Sequence, residues 1–244
     1  RVLSMRRLWA WCWGALLGVA GVAVVAAAPA GTAATPAGDR DARLVVVGSG
    51  FFAQGKLALY RQLAAAEGVQ LDYLRTPLDA AALARLAGAD LVLAELPPVQ
   101  LYRDEQLPAQ LAGLPRVLMV ERDREQAIGL EPAQATLLAA YARSGGERNL
   151  GALLRYLQHW RRDGRPPAET EPPLVMPKTG IYHPDYRDLA FATRADYLQW
   201  LGPKVRAGQP VVGIAMFASA IGSDSTAHID ALIREVESRG GIAL

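Results

Sequence analysis

Residues 43–60 read RLVVVGSGFFAQGKLALY, and the fold prediction rests on this stretch. The run Leu44–Val47 is continuously apolar, as is typical of a strand that is buried on both faces of a sheet. A turn with two glycines follows it. The next apolar residues lie mainly on one helical face: Leu57, Leu59, Leu63 and Ala64. The stretch therefore predicts a strand, a tight turn and a helix that covers the strand.

Three further apolar runs continue this pattern at similar spacing: Val69–Leu74, Leu91–Ala94 and Val117–Val120. Repeats of strand, helix and strand specify a parallel sheet with covering helices. We therefore expect an α/β fold, with a Rossmann-like or flavodoxin-like parallel-sheet domain over residues 40–162. Its helical end is predicted at Pro132–Ala142 and Glu147–Arg161, on either side of a Ser-Gly-Gly break.

The second half of the chain begins with a proline-rich connector. Residues 163–177 hold five prolines, which exclude a regular helix. The predicted connector, residues 163–209, also contains the loop Gly180–Asp185 and a helix near Thr193–Leu201. Residues 210–244 then predict the start of a second α/β domain, truncated at Leu244.

Three elements are predicted in that last segment. Val211–Phe217 is expected to form a strand, and Ser223 or Asp224 is expected to cap the following helix. The apolar stripe of this helix is predicted at Ile229, Leu232, Ile233 and Val236. Ile242–Leu244 is expected to begin another strand.

The first 34 residues have the layout of a secretory signal. Arg6 and Arg7 precede an uncharged stretch, residues 8–28, and small residues suited to a signal peptidase follow. The apolar stretch is close to the roughly 20 residues that span a bilayer, so an uncleaved membrane anchor is the alternative. We expect an exported protein, either periplasmic or attached to the inner membrane.

Composition excludes several classes of site. The only cysteine is Cys12, inside the N-terminal apolar stretch, so the rest of the chain has no thiol for disulfides, thiolate zinc sites or iron–sulfur clusters. The formal charge is +2, and Arg1, Arg6 and Arg7 contribute to it in a stretch without acidic residues. The remainder is close to neutral, so nucleic acid is not an expected partner.

Two nucleotide-binding patterns overlap near the first strand. Gly48, Gly50 and Ala53 form G-x-G-x-x-A, and Asp72 lies near the end of the second predicted strand, as in a dinucleotide-binding fingerprint. A tight strand-to-helix turn is the competing interpretation, and Phe51 and Phe52 would crowd a phosphate. Gly50–Lys56 also matches a P-loop, but Leu57 stands where a Ser or Thr must bind magnesium, so ATP hydrolysis here is not expected.

Tyr182, His183 and Asp185 are the candidate ligand-binding residues. The histidines His159, His183 and His228 lack metal-binding spacing, so we expect no self-contained metal site and name no catalytic residue. The loop Gly180–Asp185 combines an aromatic ring, an imidazole and a carboxylate, and loops of this kind often carry function. In the alternative, Tyr182 and His183 wedge two domains together and Asp185 caps a turn.

Three segments together resemble the family of cobaltochelatase large subunits (CobN) and magnesium chelatase H subunits. Ser144–Leu150 followed by Leu153–Leu157 is similar to its "GG-x-x-N-L…L-x-Y-L" helix. Gly180–Asp185, Phe191 and Asp196–Trp200 resemble its "G-x-Y-H-P-D…F…Y-L-x-W" stretch. Pro210–Ile214, Ile229–Ile233 and Glu237–Gly241 resemble "P-x-V-G-I…I-D-x-L-I…E-x-R-G".

The resemblance implies the leading portion of a much longer protein. Such large subunits bind a tetrapyrrole and insert a divalent metal, Co²⁺ in cobalamin biosynthesis, while ATP is hydrolysed by separate AAA+ subunits. They are ligases that form nitrogen–metal bonds. The resemblance places most of the chelation cavity beyond Leu244, so this segment alone is expected to be inactive and to bind no cofactor by itself.

The predicted export departs from this family, because chelatases that synthesise cobalamin work in the cytoplasm, where ATP and AAA+ partners are available. Two alternatives to an ATP-dependent chelatase therefore stay open. One is an exported paralogue that binds tetrapyrroles or removes a metal without ATP. The other, from the glycine pattern alone, is a Rossmann oxidoreductase that binds a nucleotide.

Overall fold

The computed structural model describes residues 41–50, 52–96, 106–122 and 124–244. The predicted signal segment and Phe51 lie outside these residues. The strands of the larger sheet are β1 (Ala42–Gly48), β2 (Val69–Arg75), β3 (Leu91–Glu95), β4 (Val117–Val120) and β5 (Glu125–Ile128). The helices of this half are α1 (Gln54–Glu67), α2 (Ala80–Leu86), α3 (Leu107–Leu111), α4 (Pro132–Ser144) and α5 (Gly146–Asp163).

The sheet has the order β2–β1–β3–β4–β5, and its first four strands run parallel. This confirms the predicted α/β fold, and the order of the parallel strands is the flavodoxin-like one of the two forms expected. The sequence did not predict β5, which pairs antiparallel with β4. As an edge strand, β5 includes the polar residues Glu125 and Gln126 and therefore lacks the apolar run of a central strand.

The core explains why the central strands are continuously apolar. Leu44 and Val46 pack on one face of the sheet with α1, α4 and α5, whereas Val45 and Val47 pack on the other face with α2 and α3. Side chains that alternate along a strand are thus buried on both sides. The two helices at the end of this region are confirmed, with bounds within two residues of the prediction.

The C-terminal part begins with irregular backbone, residues 164–193, in which Ile181 and Phe191 form an isolated antiparallel bridge. Its elements are α6 (Arg194–Leu201), a 3₁₀ turn (Gly202–Lys204), β6 (Val211–Val212), α7 (Ala218–Gly222), α8 (Ala227–Ser238) and β7 (Ile242–Ala243). Strands β6 and β7 pair in parallel. The described residues belong to one compact unit, and the domain boundaries stay a prediction.

Two local predictions in this part are wrong. The predicted strand Val211–Phe217 is limited to β6, because its only partner in the small sheet, β7, is itself two residues long. Neither Ser223 nor Asp224 caps α8, which begins at Ala227. Ser223 and Asp224 instead follow the end of α7, where Ser223 Oγ lies 3.3 Å from Ala220 O and 3.2 Å from Ser225 Oγ.

The predicted stripe of α8 is buried at Ile229 and Ile233, whereas Leu232 is exposed. Within the described ranges, no helix is both long and apolar enough to cross a membrane.

Candidate functional site

The loop Gly180–Asp185 lies against α8. The Tyr182 hydroxyl lies 2.8 Å from Asp230 Oδ1 and 3.1 Å from Thr226 Oγ1. Burial raises the pKa of Tyr182 to about 12, and the hydrogen bond to Asp230 acts in the same direction. The phenol is therefore neutral at physiological pH and can donate its proton to the carboxylate.

His183 is buried between α6 and α8, with 1% of its surface exposed. Its Nδ1 accepts the backbone N–H of Asp185 at 3.1 Å, so the proton of the neutral imidazole is on Nε2. Nε2 lies 2.9 Å from Glu237 Oε1 and donates to it. The indole of Trp200 packs against the imidazole, with 4.8 Å between ring centroids. Both nitrogens of His183 are thus in use.

Asp185 pairs with Arg234 through both carboxylate oxygens, and one of these bonds has an N···O distance of 2.8 Å. The hydrogen bond from Arg234 lowers the pKa of Asp185. Arg234 Nη1 also lies 3.4 Å from Glu237 Oε2, so Glu237 joins the His183 contact to the Asp185 contact. A continuous polar network therefore ties the loop to α8.

The structure brings Tyr182, His183 and Asp185 together and directs their polar groups to α8. Tyr182 and His183 hold the loop against α8 within one compact unit, so a wedge between two domains stays a prediction, and Asp185 pairs with Arg234. Their role in ligand binding stays a prediction. Their partners on or next to α8 are 44 to 54 residues away: Thr226, Asp230, Arg234 and Glu237. Asp230 and Glu237 lie in segments that resemble the family, but their contact with the loop was not predicted, and Thr226 and Arg234 were not singled out at all.

Arg234→Met should lower the free energy of unfolding by no more than about 1 kcal/mol at pH 7, because the ion pair with Asp185 is half-exposed. A lowered pKa of Asp185 stabilises the fold above the unfolded pKa of about 3.9, and this contribution is lost as the pH falls through the folded pKa. The difference between the variant and the wild type should therefore shrink from pH 6 to about pH 2. Urea titrations across this range measure it, and a difference that grows at low pH would contradict the assignment.

The Ser144–Gly145–Gly146 break makes a close backbone contact with the end of α7. Gly145 has φ 63° and ψ −155°, and a Cβ placed there would overlap Gly222 O. In return, a Cβ on Gly222 would lie 2.6 Å from Ser144 O. Asn149 completes this junction through its buried side chain. Its Nδ2 donates to Gly145 O and to Leu174 O, and its Oδ1 accepts from Leu174 N, all at 2.9 Å.

A second group of polar side chains lies at the carboxyl ends of β1 and β3. Lys56 of α1 forms an ion pair with Glu95 at the end of β3 and donates to Ala142 O at 2.6 Å. The Tyr60 hydroxyl donates to Glu95 Oε1 at 2.7 Å. Burial raises the pKa of Tyr60 well above its usual value, and the nearby Glu95 carboxylate raises it further. The side chains of Lys56 and Glu95 are only 11% and 13% exposed.

This cluster lies at the topological switch point of the sheet. From β1 the chain passes through α1 to β2 on one side, then through α2 to β3 on the other side. In sheets of this type ligands bind in the crevice outside the carboxyl ends of the strands at such a point. The sequence marked Lys56 only as part of a broken P-loop. Glu95 was not predicted, although a carboxylate that ends an apolar strand is a usable signal.

The nucleotide-binding patterns meet three obstacles. A Cβ on Gly48 would lie 2.6 Å from the ring of Phe52, so that ring covers the turn. The carbonyl oxygens of Ser223 and Asp224 lie 2.5 and 2.7 Å from the Cβ position of Gly55, where the first turn of α1 would meet a phosphate. Asp72, the predicted ribose ligand, pairs with Arg43 and Arg85, both at 2.8 Å.

The other two histidines contribute to neither site. His159 Nε2 lies 3.2 Å from Asp163 Oδ2 on α5, and His228 is exposed on α8. In the part of the chain that the structure describes, no three His, Cys, Asp or Glu side chains are grouped so that they could hold a metal ion.

Comparison with known proteins identifies relatives of the C-terminal part. The family model described as CobN/Magnesium Chelatase matches residues 139–244. The H subunit of magnesium chelatase from Rhodobacter capsulatus is 32% identical over 106 residues, which are 43% of this chain and 8% of that protein. The same protein of Cereibacter sphaeroides is 31% identical over 107 residues, 41% of this chain and 8% of that protein. The matched segment thus spans less than a tenth of these relatives.

Among solved structures, the catalytic subunit of cobaltochelatase from Mycobacterium tuberculosis is similar, with a TM-score of 0.49 and 18% identity. The similarity covers 82% of this chain and 16% of that one.

Proposed function

We propose that this chain, which matches the CobN/Magnesium Chelatase family model over residues 139–244, is part of a large chelatase subunit. This large subunit would bind a tetrapyrrole and insert a divalent metal ion into it. The metal and the macrocycle are its substrates, and this segment contributes scaffold and contact surface, without a catalytic residue of its own.

One observation carries the proposal: the three segments that resemble the family are joined to one another. The loop Gly180–Asp185 bonds α8 through Tyr182 and His183. The Gly145–Gly146 break contacts Gly222 at the end of α7. Residues of the three segments that resemble the family therefore hold one arrangement of backbone.

We propose Co²⁺ as the metal, in a reaction of cobalamin biosynthesis, from the resemblance to cobaltochelatase large subunits. The curated relatives are named for magnesium, so Mg²⁺ is the competing substrate. We also propose that the ligand contacts Tyr182, His183 and Asp185. Their hydrogen bonds to α8 would then fix the loop in the position where it meets the macrocycle.

We further propose that the ATP required for insertion is hydrolysed by AAA+ partner subunits. The contacts of Lys56 support this division, because an ion pair with Glu95 takes the place of a phosphate contact. The N-terminal segment, as a signal or inner-membrane anchor, would direct the protein out of the cytoplasm. An exported paralogue that binds tetrapyrroles or removes a metal without ATP is therefore the alternative function.

Absorbance titrations of the intact gene product with hydrogenobyrinic acid diamide, protoporphyrin IX, heme and NADPH test these functions. We expect saturable binding of a metal-free macrocycle, and insertion of Co²⁺ only when AAA+ subunits and ATP are added. Binding of heme with loss of its iron and without ATP would favour the metal-removing paralogue. Binding of NADPH that Gly50→Ala abolishes, together with no response to any macrocycle, would overturn the proposal.

A further inference from the structure

The carboxyl ends of β1 and β3 open into a crevice of about 320 Å³, within the part of the chain that the structure describes. Its polar lining residues are Ser49, Lys56, Glu95, Arg143, Ser144, Ser219 and Ser223. One wall is the sheet end with α1, and the opposite wall is α7 with the residue that follows it. The crevice thus lies between the large sheet and the C-terminal part, at the switch point where such folds bind ligands.

The charges around this crevice are already neutralised. Lys56 pairs with Glu95, and Arg143 Nη2 lies 2.7 Å from Glu125 Oε2. A charged ligand would lose its hydration here without gaining an unpaired counter-charge, which is unfavourable. The charge balance therefore selects against free anions and cations and favours a neutral ligand.

The hydrogen-bonding capacity of the crevice is both donating and accepting. An ammonium group has three N–H donors, and among the described residues Lys56 Nζ meets two acceptors, Glu95 and Ala142 O. Glu95 accepts from Lys56 and from Tyr60, which leaves further lone pairs on its carboxylate. A donor and an acceptor thus stand side by side at the floor of the crevice.

We propose that this crevice binds a neutral ligand, or a neutral arm of a larger ligand, that presents a primary carboxamide to Lys56 and Glu95. The carbonyl oxygen would accept from the Lys56 ammonium, and the NH₂ group would donate to the Glu95 carboxylate. Ser219 lines the opposite wall and limits the room above this group. This site does not depend on the chain's binding a tetrapyrrole.

Benzamide and benzoate form a matched pair of probes, equal in shape and different in charge. Ligand-observed NMR titration of the intact chain should give a dissociation constant for benzamide about tenfold lower than that for benzoate, since only the neutral probe avoids an uncompensated charge. Equal affinity for the two probes, or no binding of benzamide, overturns the proposal.

Two variants test the assigned residues. Glu95→Gln keeps the side-chain shape but removes the counter-charge of Lys56, so the preference should reverse and benzoate should bind more tightly than benzamide. Ser219→Phe fills the crevice from an exposed position on α7 and should weaken benzamide binding by about tenfold without disturbing the ion pair. The control Ser238→Phe, at an exposed position of α8 outside the crevice, should leave the affinity unchanged.

A far-ultraviolet circular dichroism spectrum that matches the wild type is required of each variant. If Glu95→Gln does not fold, the comparison of benzamide affinity between Ser219→Phe and Ser238→Phe still tests whether benzamide binds in the crevice. Unchanged benzamide affinity in Ser219→Phe, or a folded Glu95→Gln protein that still prefers benzamide, counts against the proposal.

Discussion

Gly145→Ala is expected to lower the free energy of unfolding by at least about 3 kcal/mol. Two costs add at this position. The backbone has φ 63° and ψ −155°, a region that is essentially restricted to glycine. In addition, a Cβ would overlap the carbonyl oxygen of Gly222. The backbone fixes the position of the Cβ, and its neighbour is a backbone oxygen, so no side-chain rotation relieves the overlap.

Gly164→Ala is the matched control for this prediction. Gly164 also has a positive φ, 68°, but nothing lies within 4 Å of the position of its Cβ. Its replacement should cost only about 1 kcal/mol, the penalty of the left-handed conformation alone. Urea denaturation of the two variants at one pH measures the difference. Equal losses would mean that the contact between Gly145 and Gly222 adds nothing to stability.

Lys56→Met should destabilise the protein by about 3–5 kcal/mol, because it leaves the Glu95 carboxylate buried without its counter-charge. Tyr60 would remain as a donor to Glu95, but one neutral hydroxyl cannot replace an ammonium group. The double variant Lys56→Met/Glu95→Leu should recover most of this loss, since an apolar pair of similar volume removes the buried charge altogether.

Arg155→Met provides the comparison with an exposed ion pair. Arg155 bonds Glu67 at 2.9 Å and Glu171 at 2.7 Å, but its side chain is 45% exposed. Its loss should cost no more than about 1 kcal/mol. Thermal and urea unfolding of the three variants would show the contrast. If Lys56→Met costs no more than Arg155→Met, then the pair with Glu95 is as well hydrated as a surface pair.

The parallel sheet could be predicted because its signal is local. Four continuous apolar runs with helical patterns between them permit few arrangements, and each run became a strand of the large sheet. Strand β5 was missed because an edge strand needs no apolar run, and Val211–Phe217 was assigned too long a strand because strand length depends on the partner.

The candidate site could be predicted only in part. The loop Gly180–Asp185 was recognised because an aromatic ring, an imidazole and a carboxylate lie within six neighbouring residues. The partners of His183 and Asp185 on α8 lie 54 and 49 residues away and have no distinctive spacing. Glu95 likewise lies 39 residues from Lys56, so nothing in the sequence marks the two as a pair.

The sequence by itself determined that the fold is a parallel sheet covered by helices, and where its main strands and helices lie. Strands and helices depend on which side chains are buried, and the order of apolar and polar residues along a short segment indicates this. Only the tertiary structure decided that Lys56 meets Glu95, that α8 engages the Gly180–Asp185 loop and that Gly145 touches Gly222. Contacts of this kind form where distant segments cross, and the crossing depends on how whole elements pack.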